Sequence, residues 1–199
     1  MIQKGYETTA LTVSTVLLML ALHQDVQEKV VQELKGVFDS AEQETDNDML
    51  NNLPYLEMVV KESLRLFTVS PILGKEATKD IELKSCTIPA GANILINIYN
   101  VQRNPKYWGD DAHLFKPDRF LPENISKIHP YAFIPFSKGP RICIGIKYGM
   151  NVIKVVLSHI LRNYKVTTNL KFEDLECTMI LTLRIVQGYI IKLEKRKFK

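Results

Sequence analysis

Phe136-Ser137-Lys138-Gly139-Pro140-Arg141-Ile142-Cys143-Ile144-Gly145 is the stretch around which the rest of the chain is read. It ends an irregular, proline-bearing segment and leads into a long helical pattern. A cysteine at a helix start has its thiolate favoured by unpaired N–H groups and by the positive end of the dipole. Gly139 turns the chain where a side chain would clash, and Pro140 stiffens that turn. Arg141 sets a fixed positive charge two residues from the sulfur. Gly145 lets something flat and bulky lie against the first helical turn, and Phe136 can cover the sulfur from water. A lone cysteine is more often a buried, inert one. Here Phe136, Gly139, Arg141, Cys143 and Gly145 form a pattern that chance explains poorly.

These are the needs of a thiolate that ligates a haem iron. The pattern Phe-x-x-Gly-x-Arg-x-Cys-x-Gly resembles the haem-ligand loop of the cytochrome P-450 superfamily. The resemblance implies a mainly α fold with small β-sheets, the C-terminal half of the P-450 fold. Its parts would be a distal helix, a Glu-x-x-Arg helix, a meander, the haem-ligand loop, a proximal helix and a C-terminal hairpin. It implies haem b as cofactor, with Cys143 as axial ligand to the iron and Arg141 on a propionate.

Composition limits the alternatives. The chain has 199 residues, enough for one domain with a sizeable core, and is 46% hydrophobic and 24% charged, ordinary for a globular protein. Cys86, Cys143 and Cys177 are odd in number and widely spaced, which argues for a reducing compartment rather than a disulfide framework. A net charge of +4 and the lack of any recognition motif point away from nucleic acid. The start reads as neither a signal peptide nor an anchor, and the apolar run from Ala10 to Leu22 is too short to span a bilayer.

Gly5 to Leu22 reads as a buried helix, apolar nearly all round. Glu7 and Thr8 near its start are an acid–alcohol pair that can relay protons. Such a threonine equally well bonds back to a helix carbonyl beside an exposed glutamate. The resemblance favours the relay, with Gly5 leaving room over the iron and Lys4 an unexpected charge. Asp25 with Glu28 looks like a capping box for a second helix, with Val26, Val30, Leu34 and Phe38 buried and Gln27 mostly outside. Ser40 to Asp48 reads as a mobile acidic loop.

Pro54 suits the first turn of another helix, on which Glu62 and Arg65 share a face. The resemblance joins them to Arg119, in Phe115-Lys116-Pro117-Asp118-Arg119-Phe120, as one buried network pinning the loop below the haem. Lys75 takes the place of a propionate-binding arginine, and Thr68 that of a proline. Ile88 to Gly91 signals a turn and Asn93 to Ile98 a strand. The region up to Pro135 reads as irregular but packed. His23, His113, His129 and His159 read as surface or turn residues.

Gly145 to Asn163 reads as a helix with an apolar face of Tyr148, Val152, Val155, Val156, Ile160 and Leu161. Lys138, Lys147 and Lys154 form a basic fringe, either ordinary solvation or a dock for an acidic electron-transfer partner. Gln187-Gly188 signals a hairpin between Met179–Val186 and Tyr189–Leu193, and Lys195 to Lys197 a solvated tail.

The resemblance runs from Gly5 to the C-terminus. Wording such as His129-Pro130-Tyr131-Ala132-Phe133 is similar to the animal branch related to fatty-acid ω-hydroxylases, notably insect members. It implies that residues 1–199 are part of a P-450 catalytic domain, lacking an N-terminal half and membrane anchor. The parent would be a monooxygenase acting on an apolar small molecule or lipid. An NADPH-dependent flavoprotein reductase would supply electrons at the cytoplasmic face of the endoplasmic reticulum, and membrane contact would come through the missing part. The alternatives are a truncated product without chemistry and a haem-thiolate isomerase or dehydratase; the Glu-Thr pair counts against the last.

Overall fold

The computed structural model describes residues 2–199, with side chains from residue 5 onward; the charge at Lys4 lies outside the described side chains. Helix α1 spans Ile2–Leu22. Its C-terminal half is apolar on every side and is enclosed on every side: Val16, Leu18, Met19 and Leu20 are fully buried. The neighbours that enclose it are α2 (Gln24–Val37), α4 (Pro54–Leu66), α8 (Ile146–Asn163) and strand β5 (Tyr164–Thr167). Each such side chain contributes about 1.5–3 kcal/mol relative to exposure. The N-terminal third differs from the expectation of a helix buried throughout, because Gly5, Tyr6, Thr8 and Ala10 are exposed. The helix also outruns the Ala10–Leu22 segment: Gly5–Leu22 is, by length and composition alone, long and apolar enough to cross a membrane. The burial of Val16–Ala21 inside the protein makes it the core helix here.

The break between α1 and α2 is the single residue His23, and no capping box forms at Asp25. Gln24 acts instead. Its amide donates to Leu20 O at 3.3 Å, Ala21 O at 2.8 Å and Val166 O at 2.9 Å, satisfying the last carbonyls of α1. Val26, Val30, Leu34 and Phe38 are buried as the period predicts. Gln27 is fully buried too, correcting its expected place outside; it donates to Leu20 O and Val166 O and accepts from Val166 N.

The acidic segment after α2 leads into α3 (Asn47–Asn51) and is pinned rather than loose. Arg162, itself buried, donates to Ser40 O at 3.0 Å and Gln43 O at 2.8 Å. Helix α4 opens on Pro54, as expected, and Glu33 caps it from α2 by accepting from Tyr55 N and Leu56 N.

Beyond α4 the chain forms β1 (Ile72–Glu76), β2 (Ile81–Glu82), β3 (Thr87–Ile88) and β4 (Asn93–Asn97). Then come the short helices α5 (Ile98–Val101), α6 (Pro105–Trp108) and α7 (Pro122–Ile125), with a 3-10 turn over Pro117–Phe120. After α8 and β5 follow β6 (Cys177–Met179), β7 (Leu183–Ile185) and β8 (Lys192–Lys195). All strand pairs among the described residues are antiparallel and two-stranded: β1 with β4, β2 with β3, β5 with β8, β6 with β7. The hairpin therefore turns at Ile180–Thr182, not at Gln187-Gly188. Tyr189 to Leu193 leads instead into a strand on β5. The tail is not simply solvated: Arg196 holds Glu28 with both terminal guanidinium nitrogens, and Phe198 is buried.

On α8 the buried face is Ile153, Lys154, Leu157, Ser158, Leu161 and Arg162. The predicted apolar face is rotated from this one: Leu161 belongs to both, but Tyr148 is 78% exposed and Val155 is exposed. Lys154 leaves the supposed basic fringe altogether. It is buried, bonded to Glu57 at 2.5 Å and to Leu50 O at 3.1 Å. The region up to Pro135 is irregular and packed, with Trp108, Ala112, Phe120 and Ala132 in a second small core.

Candidate functional site

Two adjoining assemblies contain most of the candidate residues. The first is a buried charge network at the C-terminal end of α4. Glu62 and Arg65 lie three apart on one face, with both side chains at 0% exposure. Every N–H of the Arg65 guanidinium has a partner. Nε donates to Glu62 Oε2 at 2.7 Å and Nη2 to Glu62 Oε1 at 2.8 Å. Nη1 donates to Gln102 O at 3.0 Å and Ala112 O at 2.7 Å, and Nη2 also to Leu114 O at 3.1 Å. Its Cζ lies 5.0 Å from the Trp108 ring centroid. Glu62 Oε1 also accepts from Lys116 N at 2.8 Å and faces Arg119 Nε at 3.5 Å. Arg119 donates to Trp108 O, Asp111 O and Asp111 Oδ1. Hydrogen bonds from Lys116 and Arg119 hold the Asp111 carboxyl down at about 2. The structure thus brings Glu62, Arg65 and Arg119 together, and each ties down carbonyls or amides of the irregular region between residues 102 and 116.

The second assembly is the loop from Phe136 to Gly145. Phe136 packs against the main core. Ser137 takes a left-handed φ of 63° and Gly139 one of 90°, the region that disfavours side chains. Ser137 N donates to Ile134 O at 3.0 Å and Ile142 N to Gly139 O at 3.1 Å. Cys143 N closes the loop on Phe136 O at 2.9 Å, and Gly145 is the N-cap residue of α8. Cys143 is a free, exposed cysteine just before a helix start. Cys86 is exposed in a remote hairpin, and burial pushes the Cys177 thiol up.

The surface beside Cys143 is apolar and uncovered: Ile144 is 104% exposed, with Ile142 and Tyr148 exposed beside it. A Cβ on Gly145 would meet only Cys143 Sγ, at 3.9 Å, so the folded chain does not itself require glycine there. Among the described residues, the side chains of Arg141 and Lys75 make no hydrogen bond or ion pair. Lys75 sits half-buried on β1, opposite Ile94 on β4. Accessible sulfur, bare apolar surface, the uncommitted cation of Arg141 two residues from the sulfur and a glycine the fold does not need fit a flat, apolar, anionic-edged group such as haem.

Glu7 and Thr8 lie on the exposed part of α1. Glu7 accepts from Arg184 Nη2 of β7 at 2.7 Å, a partner that the sequence did not suggest. Thr9, Thr12 and Thr15 bond back to the carbonyls of Gly5, Thr8 and Leu11. His23, read as a surface or turn residue, does form the break between α1 and α2 but is half-buried, stacked 4.8 Å from Phe115 and edge-on to Phe172 at 5.6 Å, and burial lowers its pKa. Sequence reading also missed Gln102, a fully buried residue without a motif, whose role only distant contacts reveal.

The model of the family described as Cytochrome P450 matches residues 1–192. Among curated relatives, "Probable cytochrome P450 313a1" of Drosophila melanogaster is 45% identical across 98% of this chain and 40% of its own length. "Probable cytochrome P450 4ac3" of the same fly is 41% identical across 96% of this chain and 37% of its own length. "Cytochrome P450 4g15" is 38% identical across 97% and 34%. The chain spans about 40% or less of the length of these relatives. With a family match over nearly every residue, and with the thiol loop and buried charge network in place, the chain belongs to the cytochrome P450 family.

Proposed function

We propose that residues 1–199 form the C-terminal part of a haem-thiolate monooxygenase. The observation that carries this reading is the Cys143 loop: an exposed sulfur at a helix start on an uncovered apolar face. Haem b, when bound, supplies the activation of dioxygen, so that one oxygen atom enters an apolar small molecule or lipid and the other leaves as water. Cys143 would hold the haem iron through its thiolate, an electron-rich ligand suited to this chemistry. Phe136 shields the sulfur, Gly139 turns the loop, and Gly145 gives clearance over α8. Arg141 and Lys75 would hold the propionates, Lys75 as a point charge rather than a fork. Glu62, Arg65 and Arg119 hold the segment beneath the loop. Glu7 and Thr8 would relay protons inward from water. Electrons come from an NADPH-dependent flavoprotein reductase at the endoplasmic reticulum membrane. The test uses the full-length gene product with reductase, NADPH and labelled dioxygen on a fatty-acid-like substrate. One labelled atom per product molecule is expected, and none with Cys143→Ser. Product labelled only from water would overturn the reading.

A second reading, a chain that does no chemistry by itself, is favoured by the bare surface around Ile144 and Tyr148 and by Ile180 and Leu181 at the β6–β7 tip, 96% and 85% exposed. Apolar area of this kind, left uncovered, favours association. Expressing the 199 residues alone with haem and recording oligomeric state and Soret spectrum decides it. A monodisperse, stoichiometrically loaded monomer would exclude this second reading.

A further inference from the structure

The buried charge network and the thiol loop are joined through one side chain that no motif includes. Gln102 is at 0% exposure. Its Nε2 donates to Leu64 O at 2.9 Å and to Arg65 O at 3.2 Å, the carbonyls at the end of α4. Its Oε1 accepts from Ile134 N at 3.0 Å. Its backbone carbonyl is one of the five acceptors of Arg65. From Ile134 the bonds continue: Ile134 O accepts from Ser137 N, and Phe136 O accepts from Cys143 N. A short series of hydrogen bonds and backbone therefore runs from Arg65 to the amide of the cysteine.

We infer that Gln102 is a positioning residue that fixes the Cys143 loop to the Glu62–Arg65 network. The chemistry of the site selects a side chain that can donate and accept at once. The Leu64 and Arg65 carbonyls need a donor, and the Ile134 N–H needs an acceptor. A primary amide supplies both, an ionised carboxylate only accepts, and an alkyl chain does neither. The left-handed φ at Ser137 adds a reason for the tether. A strained turn persists only when its surroundings hold it, and Ile134 is where this turn begins. Without the tether the loop relaxes and the sulfur loses its fixed place, while the core of α1, α2 and α8 keeps its packing. The consequence for ligation rests on the haem-thiolate reading; the coupling itself does not.

The test compares the full-length gene product with Gln102→Leu, Gln102→His and a core control, Val30→Ala in α2, a fully buried site away from the loop. Hydrogen exchange is read at residues 134–143, alongside the carbon-monoxide difference spectrum of the reduced haem-loaded protein. Gln102→Leu should speed loop exchange by about 10-fold or more, as expected when a buried hydrogen bond is lost and its partners are orphaned. Val30→Ala should speed it no more than its global destabilisation requires. Gln102→His should restore part of the protection, because imidazole can donate at one nitrogen and accept at the other. Gln102→Leu should also divert part of the carbon-monoxide signal from the thiolate-ligated form. Loop exchange that rises no further in Gln102→Leu than in Val30→Ala overturns the inference, even if the thiolate band is intact. Should Gln102→Leu not fold, wild-type native-state exchange decides: Ile134 and Cys143 amides opening together supports the coupling, and Ile134 opening about 10-fold more readily overturns it. Coupled exchange in a wild type that shows no thiolate band supports the tether and overturns the haem reading.

Discussion

Replacing Arg65 with lysine keeps the charge and removes the fork, and the structure sets the cost. Arg65 uses all five of its N–H groups: two on Glu62 and one each on the carbonyls of Gln102, Ala112 and Leu114. A lysine ammonium has three N–H groups on a single point. At least two of the five bonds are therefore lost in a site of 0% exposure, where water does not replace them. At about 1.5–3 kcal/mol for each hydrogen bond to a charged group, the loss is roughly 3–6 kcal/mol. Against a total stability of about 5–15 kcal/mol, such a loss leaves a marginal fold. Urea denaturation of the full-length gene product, wild type against Arg65→Lys, measures it. A loss under about 1 kcal/mol at unchanged m-value would refute the reasoning, because it would mean that the buried acceptors find other donors.

Other expectations follow from single residues. Gly145→Ala should leave thermal stability of the haem-free protein nearly unchanged, since the added Cβ meets only Cys143 Sγ at 3.9 Å, yet should weaken haem retention measured by transfer to apomyoglobin. Burial lowers the His23 pKa, so the folded state holds the neutral ring and the unfolded chain takes up the proton. Stability from this group is then complete above the unfolded value of about 6.5 and is lost as pH falls below it; His23→Gln should flatten that part of a stability–pH curve. Thr8→Ala should keep haem and substrate binding but divert reducing equivalents to peroxide, read as product formed per NADPH consumed; unchanged coupling would return Thr8 to a helix-bonding role.

The parts of the site legible in the sequence are those in which one short segment contains its own reason. The Phe136–Gly145 loop, Pro54 at the head of α4 and the Glu62–Arg65 spacing are of this kind. The face of α8 was misread because its two sides are both partly apolar. The buried side carries Lys154 and Arg162, whose partners, Glu57 and the carbonyls of Ser40 and Gln43, lie far away in sequence, on α4 and just after α2. The exposed side carries Tyr148 and Val155, which the pattern assigned to the core. Strand pairing failed for the same reason. Gln187-Gly188 has turn chemistry, but β8 finds its partner in β5 across the body of the protein. Gln102 and Asp111 were invisible, because a single polar residue becomes informative only once its acceptors are known.

The central claim is that Cys143 is the ligand of the haem iron. The most direct measurement is the carbon-monoxide difference spectrum of the reduced full-length gene product, compared among wild type, Cys143→Ser, Cys86→Ser and Cys177→Ser. The account predicts a red-shifted thiolate band in wild type and in the Cys86 and Cys177 variants, and its loss in Cys143→Ser alone. A band that survives Cys143→Ser, or that disappears with Cys177→Ser instead, would contradict it.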